Sequence, residues 1–314
     1  MLSIPKEFFQ EENRCDFYVS EIMKKSWAVQ LTLLDEILEI ADKHNIKIWV
    51  DYGTLLGAVR HHGFIPWDDD IDTSVMRSDY EPLINYLKEE LPPYRIISSF
   101  YTEKYHDRPS VVVSSRANID IGNSPLESKI TTLEYGFPCS SWVDIFAMDY
   151  IPSDQQSWKS IQKHYSLAYD LAMYTEMYMA SGEFESLLSQ LESFTGTKIK
   201  RDEEIVRSIW MLSEKIATMT KEDEANQVGW YGGALRKDDR KKRPLPAFSE
   251  IIYADFEFTK VPIPSGYADV LKAEYGEDYM TPIKNLSLHD YPHFKNQERS
   301  ILAFNTIGQL GDIF

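Results

Sequence analysis

Apolar side chains recur every three or four residues in the first part of the chain. Between residues 16 and 44 they include Val19, Ile22, Met23, Leu31, Leu34, Ile37, Leu38 and Ala41. This spacing is typical of one face of an amphipathic helix. Residues 46–50 then form a short β-rich run that ends at Asp51, Tyr52 and Gly53. The pattern therefore predicts a long helix that leads directly into a strand.

Helix-like and strand-like patterns continue to alternate as far as residue 152. Short helices are predicted at residues 54–63 and 79–90, and strands at 71–76, 95–100, 110–115 and 142–150. We therefore expect an α/β (α+β) fold, in which a mixed sheet is flanked by helices.

The pattern becomes helical after the predicted sheet, with Leu, Met and Tyr at helical spacing and no strong strand signal. We interpret residues 1–314 as one unit with three parts. These are a core at 14–152, an appended helical subdomain at 153–225 and a C-terminal segment at 226–314 that packs back on the core. In the last part, residues 251–258 are β-like and residues 265–276 predict a helix that ends at Gly276.

The composition is that of an ordinary globular protein, since 43% of the 314 residues are apolar and 13% are aromatic. Lys and Arg number 33 against 50 Asp and Glu, which gives a formal net charge of -17. Such a charge opposes non-specific attraction to nucleic acid or to an anionic membrane. We therefore expect small molecules or neutral glycans as partners, and no nucleic acid.

Two further features bear on the cellular compartment. Cys15 and Cys139 are too few and too isolated for a disulfide framework or a zinc site, which favours a reducing compartment. The first residues lack the basic and apolar regions of a secretory leader, and no stretch approaches the ~20 apolar residues of a membrane-spanning helix. The sequence therefore predicts a cytoplasmic protein without a transmembrane segment.

The hexapeptide WDDDID at residues 67–72 carries the clearest chemical signal. In an extended segment, Asp70 and Asp72 point to one face with their Cα atoms about 6.6 Å apart, while Ile71 faces the core. Two carboxylates at that spacing can share a divalent cation. A solvated acidic turn would explain Asp68 and Asp69, but it gives no reason for the acids of the Asp-Ile-Asp strand.

Residues upstream of this run favour a phosphate site. Gly53 and Thr54 follow a strand and open a helix, where free N–H groups and the positive end of the helix dipole can hold a phosphate. Arg60 can supply a forked phosphate donor, and Trp67 a flat surface for a base or a cation. A Gly-Thr pair or an Asp-x-Asp pair alone is a weak signal, but the two in this order indicate a combined phosphate and metal site.

Asp144 is the third candidate metal ligand. The segment VDIF places its carboxylate in an otherwise apolar strand, where an isolated buried charge is costly. The alternative is a strand-end acid paired with Lys or Arg. Two carboxylates ~4 Å apart repel by roughly 4 kcal/mol at an effective dielectric of 20, so three converging acids hold a proton or bind a cation. We therefore interpret Asp70, Asp72 and Asp144 as a Mg²⁺ or Mn²⁺ site.

Four segments together resemble the LicD family. They are YGTLLGAVRHHGFIPWDDDID at 52–72, SDYEPL at 78–83, VDIFAMDYIP at 143–152 and YADVLKAEYGEDYMTP at 267–282. LicD-like proteins belong to the nucleotidyltransferase superfamily, and typical members move phosphocholine from CDP-choline to a cell-surface glycan, while eukaryotic relatives transfer ribitol phosphate. The resemblance implies a nucleotidyltransferase-like core, a CDP-alcohol as donor and a glycan or lipid-linked glycan as acceptor. CDP-choline is the expected donor.

The resemblance also implies roles for individual residues. It carries the catalytic and metal-binding roles onto Asp70, Asp72 and Asp144. It carries substrate binding onto Gly53, Thr54 and Arg60, and Trp67, Asp68 and Asp69 are added as further substrate-site residues. The third motif departs from the family at Ala147 and Met148, where leucine or proline is commoner. Residues 104–141 match poorly, so the sequence does not name the acceptor.

The implied chemistry is in-line attack of an acceptor hydroxyl on the β-phosphorus of the donor, with CMP leaving and one carboxylate, such as Asp144, acting as base.

The basic run RKDDRKKR at 236–243 has two interpretations. It is a solvated loop that balances nearby acids, or it closes over the diphosphate or docks on a lipid-linked acceptor at the inner face of the membrane.

Three other functions compete with this interpretation. A nucleotide-sugar glycosyltransferase could use Asp70 and Asp72 as its metal motif, but such folds place a full nucleotide-binding half before that motif, and only one predicted strand precedes it here. A calcium-binding loop starting at Asp68 would need Gly and Glu where Thr73 and Asp79 stand. Retention of all three acids disfavours an inactive nucleotide-binding homologue.

Overall fold

The computed structural model describes residues 2–100, 109–117, 125–284, 292 and 294–310. Part of the poorly matching segment 104–141 therefore lies outside the described residues. The helices are α1 (Glu21–Lys43), α2 (Tyr52–His61), α3 (Arg77–Glu90), α4 (Pro125–Tyr135), α5 (Gln155–Met173), α6 (Thr175–Ser181), α7 (Phe184–Thr195), α8 (Ile205–Ala217), α9 (Tyr267–Tyr275) and α10 (Lys295–Leu310). The strands are β1 (Glu12–Arg14), β2 (Phe17–Val19), β3 (Ile48–Val50), β4 (Asp72–Met76), β5 (Ile96–Ser98), β6 (Val111–Ser114), β7 (Trp142–Pro152), β8 (Ala225–Gly229), β9 (Arg243–Pro244), β10 (Ile251–Phe256) and β11 (Thr259–Pro264). The predicted mixed α/β class is confirmed.

One mixed sheet organises the fold. Its strands run in the order β3-β4-β7-β6-β5, and β4 and β7 are the parallel pair. The long strand β7 pairs with β4 and β6 along its first half and with β8 along its second half, while β9 extends the sheet beyond β8. Strand β7 is therefore the centre on which the early and late parts of the chain meet.

The two faces of the sheet differ in chemistry. Helices α1 and α3 pack against β7 and against each other. The side chains of Thr73, Val75, Val143 and Ile145 are fully buried. Because side chains alternate along a strand, Asp72 and Asp144 lie on the opposite face. That face carries the candidate site.

Several predicted boundaries are corrected by the structure. The first helix begins at Glu21 rather than near residue 16, because Ser20 caps it and Phe17–Val19 pairs with β1. Helix α2 begins at Tyr52 rather than Thr54, since the Asp51 carboxylate accepts the Tyr52 N–H. The β-like run near residue 251 is one arm of the β10–β11 hairpin.

Helices α5–α8 build a hydrophobic cluster of their own, with Trp158, Tyr165 and Trp210 among its buried residues. The later chain returns to the sheet at several points; in α10, for example, Gln297 bonds both the N–H and the carbonyl of Ser140 at 2.6 and 2.7 Å. Within the described ranges, none of the helices combines the length and the apolar character needed to cross a membrane.

Candidate active site

Asp72 and Asp144 lie directly opposite each other on the parallel strands β4 and β7. Neighbouring strands are about 4.8 Å apart, and paired residues of a parallel ladder project to the same face. Two contacts fix this register: the Asp144 N–H donates to the Ile71 carbonyl at 3.0 Å, and the Thr73 hydroxyl donates to the Asp144 carbonyl at 2.8 Å. The structure therefore brings Asp144 of the predicted triad beside Asp72, although a long stretch of sequence separates them.

The acids immediately before β4 form a compact group. One carboxylate oxygen from each of Asp68, Asp69 and Asp70 lies within 4.8 Å of the others. Helix α1 holds the backbone of this run, since Trp27 Nε1 donates to the Asp68 carbonyl at 3.2 Å and Gln30 Nε2 to the Asp69 carbonyl at 2.7 Å. The tightest acidic triplet among the described residues is thus the consecutive one.

Asp70 links this triplet to the strand pair. Burial raises the pKa of Asp72 well above its ordinary value, and the charges of Asp70, Asp144, Asp68 and Asp51 raise it further. Burial also raises the pKa of Asp68 well above its ordinary value, and the charges of Asp70 and Asp69 raise it further. Because several carboxylates repel one another away from water, the cluster is stabilised by a proton or a cation.

Gly53 and Thr54 act on these acids directly. A side chain at Gly53 would place its Cβ atom 2.3 Å from Asp68 Oδ2, so any larger residue at this position would displace the Asp68 carboxylate. The hydroxyl of Thr54 is buried and accepts the Asp72 N–H at 2.9 Å. Thr54 therefore positions Asp72, a role that the sequence did not predict, while phosphate binding by either residue stays a prediction.

Arg60 and Trp67 line the same pocket as the acids, a cavity of about 800 Å³. Arg60 Nη1 donates to the Tyr279 carbonyl at 2.8 Å, and within the described part of the chain no carboxylate forms an ion pair with it. Its Nε also donates to His61 Nε2 at 2.9 Å, so the donors of Nη2 remain for a ligand. Trp67 is only 7% exposed and packs edge-on against Phe17 and His61, so most of its ring belongs to the core.

The pocket also contains residues that sequence reasoning did not assign to it. They include Tyr52, Phe146, Trp230, Glu274, Tyr275 and Asp278. Phe146 could have been found, because it follows Asp144 by two positions and so shares its face of the strand. Trp230 and Glu274 had no such signal, since their segments are placed beside the acids only by tertiary packing.

Most of the basic run 236–243 balances nearby acids, which is one of the two interpretations that the sequence left open. The pairs are Arg236 with Asp170, Arg240 with Asp238, Lys241 with Glu274 and Lys242 with Asp239. Arg243 differs from these residues because it is fully buried and its guanidinium pairs with Asp51, at the end of β3.

Comparison with known proteins finds matches of two kinds, a family model and individual relatives. The family model described as "LicD/FKTN/FKRP, nucleotidyltransferase domain" matches residues 45–130, a range that includes α2 and the acidic run. The lipopolysaccharide cholinephosphotransferase LicD of Haemophilus influenzae is 24% identical over 266 residues, which cover 82% of this chain and 91% of that protein. Residues 45–130 therefore match the LicD family, and the Haemophilus relative extends the resemblance over most of the chain.

Two further matches are shorter. An uncharacterized protein of Rickettsia prowazekii is 42% identical over 73 residues, which are 23% of this chain and 25% of that protein. An uncharacterized protein of Rickettsia typhi is 53% identical over 47 residues, which are 15% of each chain. The family resemblance found in the sequence motifs is therefore confirmed, whereas the roles of individual residues stay predictions.

Proposed function

We propose that this LicD-like protein is a metal-dependent phosphotransferase. It moves a phospho-alcohol from a CDP-linked donor to a hydroxyl of a cell-surface glycan or its precursor, and phosphocholine is the favoured transferred group. The observation that carries the proposal is the pairing of Asp72 with Asp144 beside the pocket lined by Asp70 and Arg60. The name of the Haemophilus relative, a cholinephosphotransferase acting on lipopolysaccharide, supports the transferred group and the class of acceptor.

The donor set fits a hard divalent cation. Asp70, Asp72 and Asp144 offer only carboxylate oxygens, which suit Mg²⁺ and Mn²⁺. Burial and then the charges of neighbouring acids raise the pKa of Asp72, and a cation relieves both effects. Asp68 lies close enough to this group to assist. When bound, such an ion neutralises charge on a diphosphate and on its leaving oxygen.

The charge of the pocket gives a second reason for a cation. Among the described lining residues, the acids are Asp68, Asp70, Asp72, Glu274 and Asp278, and Arg60 is the one cation. This excess of negative charge repels a diphosphate. A nucleotide diphosphate donor is therefore expected to bind only together with a divalent ion.

The remaining roles in the reaction are assigned to individual side chains and backbone groups. Arg60 binds and orients the donor phosphates through its free guanidinium donors, and the start of α2 at Gly53 presents its N–H groups to them. The acceptor oxygen attacks the β-phosphorus, a new P–O bond forms as the bond to the CMP oxygen breaks, and the hydroxyl proton passes to a carboxylate. We assign that base role to Asp144, which Thr73 holds in place.

A nucleotide-sugar glycosyltransferase remains the rival. In the described part of the chain, β3 is the only strand of the large sheet that precedes the acidic motif. A full nucleotide-binding half before the motif, which such transferases usually carry, is therefore absent from these residues. We further propose that the reaction takes place in the cytoplasm, at the inner face of the membrane.

The experiment is a donor panel. The purified protein is incubated with CDP-choline, CDP-ribitol, CDP-glycerol and UDP-sugars in the presence of Mg²⁺, and released CMP or UDP is measured. We expect CMP from CDP-choline, slowly without acceptor, and its loss in Asp72→Asn and Asp144→Asn. Asp255→Asn, at an exposed acid on β10, is the matched control. Release of UDP with no CMP would favour the glycosyltransferase.

A further inference from the structure

Three aromatic residues, Tyr52, Phe146 and Trp230, form an aromatic wall of the pocket. Each ring contacts the other two: the centroids of Phe146 and Trp230 are 4.3 Å apart, those of Tyr52 and Phe146 5.4 Å, and those of Tyr52 and Trp230 6.1 Å. We propose that this aromatic wall binds a quaternary ammonium group on the transferred alcohol and selects it against neutral polyols. This inference rests on the proposed function and adds the residues that determine its donor specificity.

The aromatic wall lies at a suitable place relative to the acids. Phe146 follows Asp144 by two residues on β7, so both side chains lie on one face of the sheet and about 6.6 Å apart along the strand. Tyr52 directly precedes Gly53 at the start of α2. A phosphate held beside Asp72 and Asp144 thus places a group a few bonds away against these rings.

Phe146 and Trp230 offer the ligand ring faces rather than hydrogen bonds. Phe146 has no polar side-chain atom, and the only donor of the Trp230 side chain, Nε1, already bonds the Pro109 carbonyl at 3.2 Å. The hydroxyls of a ribitol or glycerol chain would lose water here without replacement, which is costly. A trimethylammonium group has no hydrogen bond to lose and is attracted to aromatic faces.

Electrostatics favour the same ligand. The acids that line the pocket attract a cation, and one ring of the aromatic wall already binds one: the Arg243 guanidinium lies 4.6 Å from the centroid of Tyr52. Because Arg243 occupies that face of Tyr52, we assign the main contacts with the ligand to Phe146 and Trp230.

The backbone keeps the Trp230 indole in place. A Cβ atom added at Gly233 would lie 2.7 Å from Trp230 Cε3, and its three nearest atoms all belong to this indole. The tryptophan therefore packs directly on the glycine. Gly233→Ala should displace the ring without removing it, which separates the position of the indole from its presence.

The test compares phosphocholine with its neutral carbon isostere, 3,3-dimethylbutyl phosphate. Affinities of both are measured calorimetrically with Mg²⁺, and CMP release is measured from CDP-choline and from CDP-3,3-dimethylbutanol. We expect the wild type to prefer the charged ligand about tenfold, or 1.4 kcal/mol. Trp230→Leu, Phe146→Leu and Gly233→Ala should each bring the ratio towards one, and Trp230→Phe should restore part of it. The control is Phe194→Leu, which removes a ring of α7 that stacks on His164 in α5, and it should keep the ratio.

The two proposals fail separately. Equal affinity of the wild type for the two phosphates, or an unchanged ratio in folded Trp230→Leu and Gly233→Ala, would overturn the aromatic wall even if CMP is released from CDP-choline. Conversely, a protein that prefers phosphocholine but releases no CMP would support the aromatic wall and contradict the phosphotransferase.

Discussion

Arg243 donates from Nη1 to both carboxylate oxygens of Asp51, at 2.8 and 2.7 Å, although the two residues are 192 positions apart. Both side chains are buried. Asp51 also accepts the Tyr52 N–H at 2.8 Å and the Ser74 hydroxyl at 2.6 Å, and its own N–H donates to the Asp72 carbonyl at 2.9 Å. A residue of the late chain thereby fixes the place where β3, α2 and β4 meet.

Replacing Arg243 with Met should destabilise the protein by about 3–5 kcal/mol, because it leaves the Asp51 carboxylate buried without its counter-charge. Although burial lowers the pKa of Arg243, Asp51 and other neighbours raise it above its ordinary value, so the guanidinium is charged at neutral pH. Urea denaturation gives the unfolding free energy. The double variant with Asp51→Asn should recover part of the loss, and a loss below about 1 kcal/mol in the single variant would show that the pair contributes little.

Arg60→Ala should weaken the binding of CDP-choline and leave the melting temperature nearly unchanged. Arg60→Lys should lose much of the affinity too, because an ammonium cannot reproduce a two-pronged guanidinium contact. Calorimetric titration with Mg²⁺ measures the effect, and Arg240→Ala, whose side chain is 88% exposed, is the matched arginine control. Unchanged affinity in both Arg60 variants would remove this residue from the donor site.

Asp149 should make stability depend on pH. It is buried and accepts from Arg77, which also bonds Glu214. Burial raises its pKa to about 7; Arg77 opposes the shift and Glu214 adds to it. The folded protein thus keeps a proton that the unfolded chain releases near pH 3.8. This stabilisation is complete below that value and is lost as the pH rises towards 7.

Unfolding free energies of wild type and Asp149→Asn, measured by urea denaturation at several pH values from 5 to about 7, isolate this contribution. The wild type should lose stability relative to the Asn variant as the pH rises, by up to a few kcal/mol. The buried acids of the active site affect both proteins equally, so they cancel in the difference. A difference that does not change with pH would mean that Asp149 is ionised throughout.

The sequence predicted those parts of the site whose signal is local. Asp72 and Asp144 stand in strands where an acid conflicts with its apolar neighbours, and Asp70 lies directly before the first of these strands. The role of Thr54 was missed because its hydroxyl serves Asp72, 18 residues later. Glu274 and Trp230 were missed because nothing in a local pattern says which distant segment covers an acidic cluster.

The same contrast holds for the fold, where elements with a local sequence pattern were predicted and elements that depend on distant pairing were not. Strands β4 and β7 were predicted nearly to the residue from their apolar runs, and their parallel register then placed the acids together. The short strands β8 and β9 were not predicted. Strand β8 is set by its pairing with β7 and strand β9 by its pairing with β8, and these tertiary contacts leave little β signal in their own residues.

The most direct test of the account is the stability of the protein with and without Mn²⁺. A ligand that binds only the folded state stabilises it by about 2.7 kcal/mol at a hundredfold excess over Kd. Wild type should show this gain in thermal or urea unfolding. Asp72→Asn and Asp144→Asn should gain far less, and should be at least as stable as wild type without metal because mutual repulsion is relieved. Equal Mn²⁺-induced gains in all three proteins, with CMP release retained in the variants, would contradict the metal site and the phosphotransferase built on it.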